Sequence, residues 1–185
     1  MGAGAVPGRD PPVRTELVRE SVRTRVTRLF IAGRTLIRKE PLGPDAARRL
    51  QHELAILERL RGVMGVAQLV EAPQYPGSIV VEDAGDASLA GLVKPLRPDY
   101  LVDLGLALTR AVAGMQRRGV MHRDIAPANI VISGSGAPCL VDFALATSFA
   151  EIRPPVYPEH RDHGGAGVSG AGADRADRPA GRSAG

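Results

Sequence analysis

The chain has 185 residues, 44% hydrophobic and 24% charged, with 22 Gly, 15 Pro, one Cys and no Trp, which suits one ordinary soluble domain with unstructured margins and excludes collagen-like, coiled-coil and disulfide-stapled proteins. The formal charge of +4 lies largely in Arg near the N-terminus and in a Gly/Ala-rich tail, and the three Phe and three Tyr are too few to interleave with it as a single-strand nucleic-acid surface requires. No run reaches the roughly 18 apolar residues of a membrane span, and the N-terminus carries neither a basic signal flank nor a myristoylation motif, so a cytoplasmic protein with no membrane or nucleic-acid partner is expected.

Residues 1–14 are Gly, Pro and Arg without apolar periodicity, an expected disordered lead-in. Strands are predicted over 25–31 and 34–39, joined as a hairpin by Ala32-Gly33. A helix then starts at Pro44-Asp45, places Leu50, Leu54, Leu57 and Leu60 on one stripe, and stops at Gly62. Two more strands are predicted over 66–70 and 78–81, with Pro73, Pro76 and Gly77 turning between them. A longer helix runs from about Pro98 to Arg118, apolar at Leu101, Leu104, Leu108, Ala111, Val112 and Met115, and ends at Gly119. Short strands at 130–132 and 139–141 flank Ser133-Gly134-Ser135-Gly136. The lone Cys139 lies in the second of them and reads as core filler rather than a reactive thiol. From Arg161 onward there is no aromatic residue and no core material.

The chemistry gathers around this last hairpin. His122-Arg123-Asp124 is followed by Asn129, giving H-R-D-x-x-x-x-N, and Asp142-Phe143 closes a strand thirteen residues later. The set resembles the catalytic loop and metal-binding segment of the protein kinase family, and the resemblance extends in the right order over about residues 16–150. It implies an α+β, two-lobed fold, an N-terminal lobe with an antiparallel sheet and one helix, and ATP-dependent phosphorylation of protein Ser or Thr with Mg²⁺. Phosphoryl transfer requires one carboxylate to orient the attacking hydroxyl and oxygen ligands to hold magnesium against the phosphates. By resemblance Asp124 is the base and Asn129 and Asp142 are the metal ligands. His122 and Phe143 would then be packing residues, and Arg123 the tether of the activation segment.

Upstream, Leu36-Ile37-Arg38-Lys39 resembles the V-A-I-K strand, which makes Lys39 the phosphate-contacting lysine, or Arg38 if the register is shifted by one. Glu53, mid-helix, is its expected ion-pair partner. Val26 would lie over the nucleotide, Val81 would be the gatekeeper, and the backbone of Glu82 and Ala84 in Glu82-Asp83-Ala84-Gly85 would receive adenine. Three departures from the family pattern stand out. Arg19, Ser21 and Thr24 occupy the glycine positions of the nucleotide loop, Ala144 replaces the glycine after Asp142-Phe143, and Ala126 replaces the lysine two residues past the base. These favour slow or altered catalysis without opposing nucleotide binding.

The expected organisation is a lead-in over 1–14, a truncated kinase-like domain over 15–158 and a tail over 159–185, since no A-P-E motif or further helical lobe follows Ile152. The tail is also read as frameshifted, naturally or through a sequencing error. With suitable synonymous codons, Gly170 to Pro179 is encoded GGC GCC GGA GCA GAC CGG GCG GAC CGG CCG, and one base later this reads A-P-E-Q-T-G-R-T-G. The same frame allows Y-L before it from Val168-Ser169-Gly170, and the string resembles the segment found in bacterial kinase modules fused to ATPase or sensor regions, so a fusion or regulatory partner is expected. Without a further lobe, Leu104, Leu108 and Val112 are expected to leave part of their stripe exposed. Two alternatives to a protein kinase remain: a catalytically inactive pseudokinase module, favoured by the missing glycines, and a small-molecule kinase, disfavoured by Arg123 where such enzymes more often carry glycine.

Overall fold

The computed structural model describes residues 13–70 and 75–151; residues 1–12 of the lead-in, the turn residue Pro73 and the whole tail lie outside the described residues, while Arg14, expected in the lead-in, begins a strand. Four strands, β1 (Arg14–Glu20), β2 (Thr24–Ile31), β3 (Arg34–Pro41) and β4 (Ile79–Glu82), form an antiparallel sheet in the order β1-β2-β3-β4. The β2–β3 connection is the expected two-residue turn. Ala32 and Gly33 both hold positive φ, 47° and 75°, the backbone that matches the twist of a hairpin, and glycine accepts it without the Cβ clash alanine carries. Alternation along the strands divides the sheet. Leu29, Leu36 and Val80 are buried on one face with Ile31, Val70 and Tyr75 against them, while Val26, Ile37, Lys39 and Ile79 lie on the other in cross-strand register.

That second face meets helix α1 (Ala46–Arg59). The leucine stripe is what buries it: Ile56, Leu57 and Leu60 are at most 3% exposed and Leu50 and Leu54 pack beside them. Each such side chain contributes about 1.5–3 kcal/mol of transfer free energy.

The same core continues downward into a second lobe. Helix α2 (Pro98–Arg117) begins with proline in its first turn and Asp99 beside the positive helix end, and buries Leu104, Ala111 and Met115. Strands β5 (Ala87–Ser88), β7 (Ile130–Ile132) and β8 (Pro138–Leu140) form a sheet in the order β5-β7-β8, and β6 (Val120–Met121) pairs with β9 (Thr147–Ser148). This is the α+β, two-lobed arrangement expected.

Three expectations change. Residues 14–20 form a strand although every residue in it is exposed. Residues 66–70, read as a strand, are a connector that divides its bonds between the lobes: Ala67 N–H donates to Leu140 O (3.0 Å), while Gln68 O and Val70 N–H bond Glu82 and Val80. The Gln68 side chain, bonding Val63 O, Val66 O and the Gly62 N–H, fixes this irregular course. On α2, Leu104 is buried at 5% exposure because β8 packs on its side of the helix, while Leu108 and Val112 are half-buried, as expected; the exposed apolar residues are Leu101, Val102 and Leu106.

Candidate active site

The lower rim of the cleft is a loop braced from beneath. After β6, buried His122 packs against the fully buried Phe143, the two rings tilted by 53° with centroids 4.6 Å apart. Its Nε2–H donates to Val141 O (3.1 Å), and its Nδ1 accepts the Asp124 N–H (3.3 Å). Both partners can be met at once only by the neutral Nε2–H tautomer. Burial pushes the His122 pKa down, against the Val141 bond and the charges of Asp124 and Asp142. Arg123 follows with φ 66° and Asp124 emerges into solvent. Buried Asn129 donates through Nδ2 to Asp124 O (3.0 Å) and Asp124 Oδ2 (2.8 Å), which turns its own carbonyl oxygen away from Asp124. The N–H of Val141 donates to Asn129 O (3.0 Å), so the chain is laid beside Asp142.

The upper wall carries a second cluster. Lys39 Nζ lies 2.7 Å from Glu53 Oε1 and 2.6 Å from Asp142 Oδ1, and the same Glu53 oxygen accepts the Phe143 N–H at 3.1 Å. One buried carboxylate of α1 therefore orients the lysine and fixes the backbone that follows Asp142. Arg38 points to the opposite face, bonding Ser78 Oγ (3.1 Å) and lying over the Tyr75 ring, so the register that brings Lys39 into the cleft is the one observed. Asp142 itself has φ 64°. Burial works against its ionisation, but the Lys39 charge and hydrogen bond, the Ala144 N–H and the Arg19 charge outweigh it and hold the carboxyl below its ordinary value.

Val26 pairs with Lys39, and Val81 pairs with Ile37 across β3–β4. Glu82 gives its N–H to Gln68 O, while the half-buried Ala84 has neither backbone group engaged among the described residues. Arg123 makes no ion pair among the described residues, so the activation-segment tether is not formed within them. The Cys139 thiol is pushed up to about 11, mainly by burial and then by the Glu82 charge, and stays protonated.

The donor set suits magnesium: one carboxylate, Asp142, and one amide oxygen, Asn129, are hard ligands of the kind that bind this ion together with substrate phosphates. Among the described residues no group of three or more His, Cys, Asp or Glu stands ready to cage a metal without a phosphate.

Two contributors were not visible in the sequence. Arg28 bonds Asp83 Oδ2 (2.8 Å), Gly85 O (3.1 Å) and Asp86 Oδ1 (3.0 Å) and so braces the segment linking the lobes; an arginine amid apolar strand residues was the available signal. His52 Nε2 lies 2.8 Å from Ala146 O, where it ties α1 to the chain beyond Phe143.

The chain is similar to several known protein kinases. The chain is 32% identical over 76 residues to serine/threonine-protein kinase PknB of Mycobacterium leprae, covering 40% of this chain and 12% of that protein. It is 33% identical over 109 residues to mitosis inhibitor protein kinase mik1 of Schizosaccharomyces pombe (55% and 19%), and 29% identical over 111 residues to serine/threonine-protein kinase PknK of Mycobacterium tuberculosis (57% and 10%). The chain thus aligns with less than a fifth of the length of each of these relatives. No described helix is long and apolar enough to cross a membrane. The family model for the protein kinase domain matches residues 20–157, about three quarters of the sequence, and the chain belongs to the protein kinase family.

Proposed function

We propose that this chain carries the nucleotide-binding and catalytic-loop half of a serine/threonine protein kinase that uses ATP and Mg²⁺ in the cytoplasm and acts on a protein substrate. The observation that carries the reading is the double ion pair of Lys39 with Glu53 and Asp142, set against an Asp124 carboxylate oriented by Asn129. Of the Asp124 oxygens, Oδ2 is occupied by Asn129 and the other is left for the hydroxyl of an incoming Ser or Thr. As the hydroxyl oxygen of that Ser or Thr forms its bond to the γ-phosphorus and the bond to the bridging β–γ oxygen breaks, the Asp124 carboxylate takes the hydroxyl proton. Lys39, held by Glu53, presents its charge to the phosphate oxygens. Asn129 and Asp142 would hold magnesium, which when bound neutralises charge developing on the phosphates.

Titration with a fluorescent nucleotide tests the reading. Asp142→Asn should weaken Mg²⁺-dependent ATP binding at least tenfold and spare adenosine, and the parent chain should transfer label from γ-labelled ATP to a generic protein substrate. Equal MgATP affinity in both proteins removes the assignment. Nucleotide binding without transfer supports the second reading, a pseudokinase module, which is favoured by the closed turn at 21–24 where the family carries glycines.

For the tail we propose that residues from about His160 are translated out of frame and that the parent frame continues with Y-L-A-P-E-Q-T-G-R. The exposed Leu101, Val102 and Leu106 on α2 support this, because the tail as read offers one valine, Val168, and no leucine, isoleucine, methionine or aromatic ring to cover them. Sequencing the coding DNA across the codons of Tyr157 to Gly170 decides it: a single-base insertion or deletion relative to related genes is expected, and an intact frame refutes it.

A further inference from the structure

We propose that Arg19 is the phosphate-binding residue of the upper lobe, its guanidinium bonding the terminal phosphates of a nucleoside triphosphate in place of backbone amides. The inference rests on the nucleotide-binding reading above and adds a ligand to it.

The first reason is that the turn between β1 and β2 has few amides to offer. No glycine occurs between Gly8 and Gly33. Ser21 N–H donates to Thr24 O (2.9 Å), and the N–H groups of Arg23 and Thr24 both donate to Ser21 Oγ (3.3 and 3.1 Å). Arg23 O is in turn held by Leu42 N–H (2.8 Å) and Arg49 Nη1 (3.0 Å). A phosphate cradle built from backbone needs several unengaged N–H groups converging on one point, and here three are consumed within the turn and only that of Val22 has no bond among the described residues; the turn is also fastened to the end of β3 and to α1.

The second reason is where the bulge in β1 puts Arg19. Leu17 pairs with Thr27, but Arg19 pairs with Val26, a slip of one residue between them. Unslipped, Arg19 would stand opposite Arg25 on the outer face; the bulge re-aims it. Val26 pairs in turn with Lys39. Direct cross-strand partners share a face, so Arg19, Val26 and Lys39 form one row on the face from which Lys39 reaches Asp142, with Arg19 two strand spacings, about 10 Å, from Lys39.

The third reason is charge. Lys39 already answers two carboxylates, Asp124 adds a third across the cleft, and Ala126 supplies no cation. A triphosphate entering this site meets excess negative charge. Neighbouring Arg25 and Arg28 are paired with Glu20 and with Asp83, whereas Arg19 is exposed and makes no ion pair among the described residues. A planar guanidinium free to form two parallel hydrogen bonds matches a phosphate edge.

The test is displacement of a fluorescent nucleotide by adenosine, ADP and ATP with Mg²⁺, using the full chain and its Arg19→Ala, Arg19→Gly and Arg19→Lys variants, with far-UV circular dichroism to verify folding. Arg19→Ala and Arg19→Gly should weaken ATP by about tenfold, the scale of one charged hydrogen bond, weaken ADP less and leave adenosine unchanged, while Arg19→Lys retains part of the ATP affinity. An Arg19→Gly variant that binds ATP as tightly as the parent, or tighter, overturns the proposal, because arginine is then only an obstacle where glycine would serve. Equal losses for adenosine and ATP also overturn it, by showing a support for the sheet. If the parent binds neither adenosine nor ATP, the nucleotide reading itself falls and takes the proposal with it.

Discussion

Replacing Glu53 by Gln removes one charge while keeping the shape of the side chain, and the structure sets the size of the effect. Glu53 is 3% exposed, and one oxygen receives both Lys39 Nζ and the Phe143 N–H. Glutamine keeps a neutral acceptor at that point, so the Phe143 bond survives and Lys39 retains Asp142 at 2.6 Å as a charged partner. The loss is therefore not the 3–5 kcal/mol of an orphaned buried charge but that of one charge-assisted bond, about 2 kcal/mol. For a chain of this size this lowers Tm by about 4–8 °C. Glu53→Ala, which also strands the Phe143 N–H and leaves a hole under Lys39, should lose about 3–5 kcal/mol. Thermal unfolding followed by circular dichroism, with MgATP titration of each variant, reads both effects. If Glu53→Gln melts within 1 °C of the parent, the glutamate is not coupling α1 to the chain beyond Asp142 and the argument for a preformed site fails.

Two further outcomes follow from the geometry. His122 is neutral in the folded protein with its pKa below 6.5; unfolded imidazole therefore binds more protons than folded as the pH drops past 6.5, and stability decreases with falling pH. Urea midpoints measured in metal-free buffer from pH 7.5 to 5.5 should decline, and the His122→Gln variant should decline less steeply; parallel profiles would show that other groups set the slope. Gly85 has φ 148°, and a Cβ there would sit 2.3 Å from Ile132 O, so Gly85→Ala should cost about 3 kcal/mol or more and lower Tm by about 6–12 °C, whereas a near-native melt would mean that the linking segment is not seated on β7.

What could be read from residues alone tracks how narrowly physics constrains them. The loop from His122 to Asn129 was legible because each position needs a particular functional group, and the α1 stripe because burial on one side leaves a 3.6-residue period. Strand β1 was not, since its seven residues are all exposed and no face of Thr15, Leu17 and Val18 is selected by a core. The apolar run Val66 to Val70 looked like a strand because hydrophobicity reports burial, and burial here comes from lying between two lobes rather than within one ladder. Neither the bulge that turns Arg19 inward nor the Arg28 brace has a local signature, because both depend on what a distant strand or turn presents.

The chain leans on the lower lobe at two separate places on its way through the upper one. Gly65 and Ala67 exchange bonds with Leu140, and Gly85 sits against the backbone of Ile132. Across the cleft the lobes are joined again, by Lys39 to Asp142, by Glu53 to the Phe143 N–H and by His52 to Ala146 O, so the sheet and α1 are pinned on both sides, along the linking chain and along the helix. Any widening of the cleft stretches the bonds of Lys39, Glu53 and His52 to the lower lobe. Opening of the cleft is thus coupled to the charged cluster, because Lys39 and Glu53 belong to one lobe and Asp142 and Phe143 to the other.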